Sequence, residues 1–281
     1  MKFKTIGCML LVLLVGSLQG FAQSNPPIPV DEIIRKFSEK EKEFKQARAN
    51  YVYRQDIRVQ VLNSSDRPVE EYRLVSDIGF DSSGRRTEKI VHAPPSTLQR
   101  ISMTPEDLQD LREIQPFVLT SDDIGKYNLK YIGKEAIDEI DCYAFEVEPK
   151  KIEKGQRYFQ GKIWVDDRDF QIVKTYGKAV PDIRGGDREN LFPRFETYRE
   201  QIDEYWFPTY TRAVDTLNFS SGKVRIREII RYENYRKFGS DVKLTFGDAV
   251  EDGKPPDAPP VPEDSNTKAP ALDPKYRKDQ K

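Results

Sequence analysis

The sequence predicts a mainly β, α+β fold: one large, strongly curved antiparallel sheet of about eleven strands, with a few helices against it. Three observations lead to this prediction. From residue 51 onward, apolar and polar side chains alternate with a period of two, as in half-buried strands. Short turns rich in Gly, Asp or Asn separate the strand segments, which is typical of antiparallel hairpins. No helix recurs between them at the spacing that parallel βαβ units require.

The charge balance and the rare residue types exclude several classes of function. The 281 residues include 46 Lys and Arg against 47 Asp and Glu, so the formal net charge is -1. Nucleic-acid-binding proteins usually carry a basic excess, so we expect no nucleic-acid partner. One His and two Cys leave almost nothing for zinc sites or His-based triads. We therefore expect a protein that is not an enzyme and that has no metal site and no cofactor.

Residues 1–22 have the layout of a secretory signal peptide. Two lysines precede the short apolar run Cys8–Val15, and Gly20 and Ala22 occupy the small-residue positions of a cleavage site. The run is shorter than the roughly 20 residues of a membrane-spanning helix. Cys8 precedes most of the run, so it is not a lipobox cysteine. We predict cleavage after Ala22, a periplasmic location, and no transmembrane segment after cleavage.

Two helices are predicted in the mature chain, which begins with a Pro-rich lead-in at 23–30. The first helix covers Asp31–Asn50, with Asp31 as its cap and a solvated face of Lys and Glu. The second lies in Thr104–Glu113, where Thr104 is the cap and a proline takes the first helical position. Residues 251–281 are rich in proline and poor in apolar side chains, which predicts a disordered tail.

The strand prediction follows the alternation segment by segment. The predicted strands are Tyr51–Val61, Val69–Phe80, Arg85–His92, Tyr127–Ile132, Cys142–Pro149, Gln156–Val165, Phe170–Tyr176, Arg194–Ile202, Tyr205–Val214, Val224–Tyr235 and Val242–Phe246.

Isolated reactive side chains favour structural roles. His92 stands alone near a strand end, so we expect no metal site there. Cys142 lies in an alternating strand without a nearby base, which predicts a buried apolar role. Asp166, Asp167 and Asp169 have spacing similar to a calcium loop but lack its glycine and distal glutamate, so we expect a tight turn.

The sheet presents a surplus of apolar and aromatic side chains on one face. Such a face must be covered, and the two predicted helical segments are available to cover it. The covered volume is either a filled core or a ligand cavity, and periodicity does not distinguish these two.

Three stretches resemble LolA-like proteins, the periplasmic lipoprotein-sorting carriers and their relatives. The first is the pair Gly161–Asp166 and Phe170–Lys174, which resembles the paired-strand signature of that family. Tyr205–Thr211 resembles a later strand, and Arg231–Phe238 resembles the closing strand. The order of elements, from signal peptide to N-terminal helix to strands with a helical insertion, is also similar.

The resemblance implies an open half-barrel with helices as its lid, here assigned to residues 31–250. It implies a non-catalytic protein that holds a lipid or lipoprotein acyl chain between the sheet and the lid. In the carriers an arginine on an early strand bonds the lid helices, and Arg86 is our candidate for it, with Arg85 as the alternative. Strand alternation then selects the apolar lining candidates: Tyr51, Tyr53, Ile57, Tyr72, Leu74, Phe145, Ile163, Val165 and Ile172.

A second hypothesis is a regulatory or scaffold module of the envelope. In this interpretation a protein partner binds the sheet edge or the Pro-rich tail. The resemblance also covers this case, because a related domain in an envelope-stress regulator senses lipids and binds an anti-sigma factor. The third hypothesis, an envelope hydrolase, lacks an ordered set of catalytic side chains.

Overall fold

A computed structural model describes residues 26–81, 83–184 and 189–238. The predicted signal peptide (1–22), the predicted strand at 242–246 and the Pro-rich tail (251–281) lie outside the described residues. Ten strands form one antiparallel sheet in the described part of the chain, which confirms the predicted fold class. These ten correspond to the first ten predicted strands.

The helices and strands have the following bounds. The helices are α1 (Val30–Arg48) and α2 (Pro105–Gln109). The strands are β1 (Tyr51–Leu62), β2 (Pro68–Phe80), β3 (Arg86–His92), β4 (Tyr127–Ile137), β5 (Ile140–Pro149), β6 (Tyr158–Asp166), β7 (Ile172–Val180), β8 (Phe195–Ile202), β9 (Tyr205–Phe219) and β10 (Gly222–Lys237).

The strand order places the first strand next to the last described strand. It runs β3-β2-β1-β10-β9-β8-β7-β6-β5-β4, so β1 pairs with the last described strand, and β3 and β4 form the two edges. The sheet is not closed, and it forms an open half-barrel. Residues 93–126, which we call the crossing segment, connect one edge to the other. β3 and β4 are nine positions apart in the sheet, and the segment between them passes across its inner face, where it packs into the core.

Helix α1 also lies on the inner face. Ile33, Phe37 and Phe44 are fully buried at helical spacing, as the sequence pattern predicts. The predicted cap is wrong: Pro29 is the N-cap, and Asp31 lies in the first turn, where a carboxylate is favourable to the helix dipole. The face of Lys and Glu was predicted to be solvated, but Glu41 is completely buried.

The crossing segment contains the second predicted helix. Thr104 and Asp107 form a capping box at the start of α2, and Pro105 is the first helical residue. A π-helical turn, Asp110–Ile114, continues it. The cap predicted at Thr104 is therefore confirmed. The π-helical turn that follows α2 packs against the sheet.

The core lies between the inner face and these two covering elements, α1 and the crossing segment. The largest apolar cluster joins α1, the crossing segment and strands β4–β9, with Phe37, Phe117, Phe145 and Phe159 at its centre. The Phe117 and Phe159 rings stack with centroids 4.4 Å apart. Most of the inner face is therefore a filled core.

Two glycines let β6 and β7 approach each other closely. Gly161 pairs directly with Gly177. A Cβ at Gly161 would lie 2.2 Å from the carbonyl oxygen of Tyr176, and one at Gly177 would lie 2.7 Å from the Phe159 ring. Any larger side chain therefore requires the strands to move apart.

We expect Gly161→Ala to lower the free energy of unfolding by about 1–3 kcal/mol, as overpacking does. Gly125→Ala is the matched control, because no atom lies within 4 Å of the Cβ it would add. Urea denaturation of the two variants measures the difference. Equal stability of both would show that the strands accommodate the methyl group without strain.

Candidate functional site

The structure places all nine predicted lining residues beneath the covering elements or beside them. They fall into three separate apolar clusters. Phe145, Ile163, Val165 and Ile172 belong to the α1-covered core, Tyr53, Ile57, Tyr72 and Leu74 lie among β1, β2 and β10, and Tyr51 lies beside Phe44 and Phe207. Side chains of the covering elements pack directly against these clusters. Their role in ligand binding stays a prediction.

Arg86 reaches the crossing segment through another side chain. It donates to Gln55 Oε1 at 2.9 Å and to Glu88 Oε2 at 2.9 Å. Arg112 of the crossing segment approaches the same Glu88 oxygen at 2.8 Å. Arg85 is exposed and pairs with Asp81 in the turn before β3. Arg86 thus contacts the crossing segment indirectly, through Glu88.

Arg199 is the arginine that joins the sheet to both covering elements. From β8 its guanidinium donates to Glu41 of α1, with distances of 2.9 to 3.2 Å, and to the carbonyl oxygen of Phe117 in the crossing segment. Glu41 also accepts from the backbone N–H of Ile172, at 3.3 Å. The side chains are 2% and 0% exposed. This ion pair is fully desolvated.

Sequence reasoning missed this pair, although both positions carried a signal. Glu41 follows Phe37 by four residues and precedes Phe44 by three, so it lies on the apolar face of α1. Arg199 continues the inward alternation of Phe195 and Thr197 along β8. A charged residue at an inward position of either element indicates a partner across the core.

A second buried ion pair holds the middle of the crossing segment. Arg157, just before β6, donates to both carboxylate oxygens of Asp110 at 2.9 and 2.7 Å, and also to the carbonyl oxygen of Pro181. Its guanidinium lies 3.8 Å from the centroid of the Phe192 ring. Burial raises the pKa of Asp110 to about 6, although Arg157 acts in the opposite direction.

A cavity of about 260 Å³ lies between the crossing segment and the sheet, next to this second pair. Its floor is formed by β1 and by β7 to β10, its roof by residues 100–115, and one side by residues 189–193. Apolar side chains dominate the floor: Val59, Phe195, Leu217, Phe219 and Ile226. None of the nine predicted lining residues borders this cavity.

The residues at the rim of the cavity are exposed, whereas those at its inner wall are buried. Arg100, Ser220 and Ser221 are exposed at the rim. Gln115 and Glu228 are 4% and 5% exposed at the inner wall. The Gln115 Nε2 donates a hydrogen bond to Glu228 Oε1, and the Gln115 Oε1 has no hydrogen-bond partner.

Burial raises the pKa of Glu228 to about 8. The hydrogen bond from Gln115 lowers it, whereas the negative charges of Asp107 and Asp110 raise it further. The inner wall therefore carries a carboxyl group that keeps its proton at neutral pH.

The remaining candidates have structural roles. His92 is exposed at the edge of the sheet, and Cys142 is fully buried, with its pKa raised by burial. Asp166 and Asp169 accept backbone N–H bonds within their turn, and Asp169 also accepts from the Trp206 indole at 3.0 Å. Across the described ranges, no three metal-ligating side chains come together. No described helix has the length and apolarity to cross a membrane.

Similarity to known proteins is confined to solved structures. No family model and no curated protein matches the chain. A DUF1329 family protein from Desulfovibrio piger matches with 17% identity and a TM-score of 0.40, over 77% of this chain and 95% of that one. A putative outer membrane lipoprotein-sorting protein domain from Vibrio parahaemolyticus matches with 13% identity and a TM-score of 0.35, over 75% and 95%.

The Pseudomonas aeruginosa MucA/MucB complex also matches, with 9% identity and a TM-score of 0.22, over 72% of this chain and 100% of that one. A lipoprotein-sorting domain is thus among the matching structures, as the sequence resemblance predicts. At these identities the similarity concerns the fold.

Loss of one partner of the Arg199–Glu41 pair should be strongly destabilising. We expect Arg199→Leu to lower the free energy of unfolding by about 3–5 kcal/mol, because Glu41 then stays buried without its cation. The double variant Glu41→Leu with Arg199→Leu should recover most of the loss. Guanidinium denaturation provides the measurement. A double variant that is no more stable than the single one would contradict this account.

Stability should also fall as the pH rises through the titration of Glu228. Its carboxyl loses the proton near pH 4.5 in the unfolded chain and near pH 8 in the folded one, so folding is most favourable below pH 4.5 for this group. Between these values Glu228 should reduce the unfolding free energy by up to about 1.4 kcal/mol per pH unit.

Thermal unfolding of Glu228→Gln between pH 5.5 and 8.5 isolates this contribution. The variant should show a flatter pH dependence than the wild type. Glu233→Gln, an exposed carboxyl on the same strand, is the matched control and should leave the slope unchanged. If both variants keep the wild-type slope, Glu228 is not the titrating group.

Proposed function

We propose that this chain is an exported periplasmic protein that binds an acyl or alkyl chain without catalysis. The observation that carries the proposal is the mainly apolar cavity between the half-barrel and the crossing segment. The resemblance of three sequence stretches to lipoprotein-sorting carriers supports the same class of ligand. Export follows from the predicted signal peptide, with cleavage after Ala22.

The size of the cavity limits the length of the chain that it binds in the described structure. Ligand pockets usually measure about 300–1,000 Å³, and a cavity of about 150 Å³ binds benzene in an engineered protein. At about 260 Å³, the cavity fits one short chain or the end of a longer one. An eight-carbon chain gains at most about 6 kcal/mol by burial, so we expect a dissociation constant of about 40 µM or weaker.

A longer chain requires the covering elements to move. The predicted lining residues, such as Phe145 and Ile163, are fully buried under α1 and the crossing segment. In our proposal they line the binding site when these elements separate from the sheet. The cavity is then the part of the site that already exists in the closed arrangement.

A second candidate function is a module that binds a protein through the sheet edge. The edge strand β3 exposes two successive apolar side chains, Ile90 at 61% and Val91 at 43%. Val91 is the extra residue of a β-bulge, because Ser76 pairs with Ile90 and Val75 pairs with His92. An edge with unpaired backbone groups is suited to the addition of a strand from a partner.

Filling the cavity tests the first proposal. Residues 23–281 are purified from a bacterial periplasm and titrated with a neutral fluorophore that carries an eight-carbon chain. Leu217→Trp places a larger side chain on the cavity floor and should weaken probe binding at least tenfold. Val214→Trp is the matched control, because Val214 lies on the same strand but is 48% exposed on the outer face.

Native mass spectrometry of the same preparation shows whether a ligand co-purifies and whether the chain begins at Gln23. Equal probe binding by both variants would place the ligand elsewhere. A wild-type protein that takes up no probe would overturn the acyl-binding proposal and leave the edge-binding function.

A further inference from the structure

The inner wall of the cavity has an unmet hydrogen-bonding capacity. Gln115 and Glu228 make one hydrogen bond to each other, and the Gln115 Oε1 has no partner although it is completely buried. Buried polar atoms in folded proteins are normally satisfied, so an unpaired acceptor beside a cavity points to a ligand. The surrounding side chains do not supply the missing donor.

The Glu228 carboxyl supplies the complementary group. Burial keeps it protonated at neutral pH, so it carries an O–H donor as well as a carbonyl acceptor. If Gln115 Nε2 donates to Glu228, one acceptor and one donor remain free. If the amide is reversed and Glu228 donates to Gln115, an N–H donor and an acceptor remain instead. In both orientations the wall presents one donor and one acceptor.

The charges around this wall act against an anionic ligand. Asp107 and Asp110 lie on the roof of the cavity and Glu189 on its side. The cation among the lining residues, Arg100, is exposed at the rim and is paired with Glu70. Asp110 is paired with Arg157, so its charge is compensated, whereas Asp107 has only neutral hydrogen-bond partners, Thr104 and Asn190. A carboxylate ligand would meet these acids and has no donor to offer the Gln115 oxygen.

A cationic head is also disfavoured at the inner wall. An ammonium group donates hydrogen bonds but accepts none, so it cannot use the Glu228 O–H. It would need to ionise Glu228 and lose its own hydration in a site where both partners are buried. A neutral head avoids both costs.

We propose that the cavity binds an uncharged hydrogen-bonding head, such as an amide or an alcohol, on a short apolar chain, with the head against Gln115 and Glu228. The ligand is thus an amide-linked or hydroxylated chain and not a free fatty acid. This inference rests on the proposed function, because it assigns the chemistry of the ligand in the same cavity.

Matched eight-carbon compounds test the inference. Octanamide, octanoate and octylammonium share the chain and differ in the head. Each competes with the fluorescent eight-carbon probe on the whole mature protein at pH 7. We expect octanamide to displace the probe at a concentration at least tenfold lower than either charged compound. Equal competition by octanoate, or stronger competition by octylammonium, would overturn the inference while the acyl-binding function stands.

A double variant tests which side chains recognise the polar head of the ligand. Gln115→Leu with Glu228→Leu replaces the polar pair by apolar groups, which is often tolerated when both partners change together. The preference for octanamide over octanoate should fall at least tenfold in this variant. Gln46→Leu, on an exposed part of α1, is the control and should keep the preference. An unchanged preference in the double variant would overturn the assignment to these residues.

The two proposals fail in different ways. Absence of probe binding to the wild type removes the acyl-binding function and this inference together. Probe binding without discrimination among the three heads removes only the inference. If the double variant does not fold, the comparison of heads on the wild type still decides it.

Discussion

The two covering elements of this half-barrel, α1 and the crossing segment, are both held to the sheet by one buried guanidinium. A sheet of ten strands has an inner face that must be shielded from water, but neither α1 nor the crossing segment joins the sheet ladder. Their position is set by apolar packing, which has little direction, and by a few directed contacts. Arg199 makes the most central of these, because it bonds Glu41 of α1 and the Phe117 carbonyl at the same time. Removal of either charge leaves the other buried without compensation.

The position of the cavity follows from what covers each part of the sheet. Helix α1 has 19 residues and is about 28 Å long, and its buried side chains pack over the β4–β9 side and around Tyr51 and Phe207. The rest of β1, β9 and β10 is covered by the crossing segment and by Leu191. A short helix with irregular flanks fills space less completely than a long amphipathic helix, and the cavity lies in this region.

The strands and the cap at Thr104 could be predicted because their signals are local. Alternation of period two identifies a strand without reference to its neighbours, and a Thr-Pro-acid sequence identifies a helix start. The Arg199–Glu41 pair spans 158 positions in the sequence, so each half showed only as a charge at an inward position. No comparable signal in the sequence indicated the cavity. Its floor residues alternate in the same way as the core residues, and only packing decides which of them face empty space.

In the proposed function, the buried Arg199–Glu41 pair determines which covering element moves more readily for a ligand. Separation of α1 from the sheet would expose the Arg199–Glu41 pair and the aromatic core around Phe37 together. The start of the crossing segment is held by hydrogen bonds that are exposed to solvent. Thr97 bonds the backbone of Glu71, and Glu70 accepts from the backbone N–H groups of Gln99 and Arg100 and from the Arg100 guanidinium. Since the cavity rim belongs to that start, the short chain of the proposed function would reach the cavity without disturbing α1. In the proposed function, the full inner face would open only when the buried arginine releases its partners, so a longer ligand would have to offset the desolvated charge pair as well as fill the space.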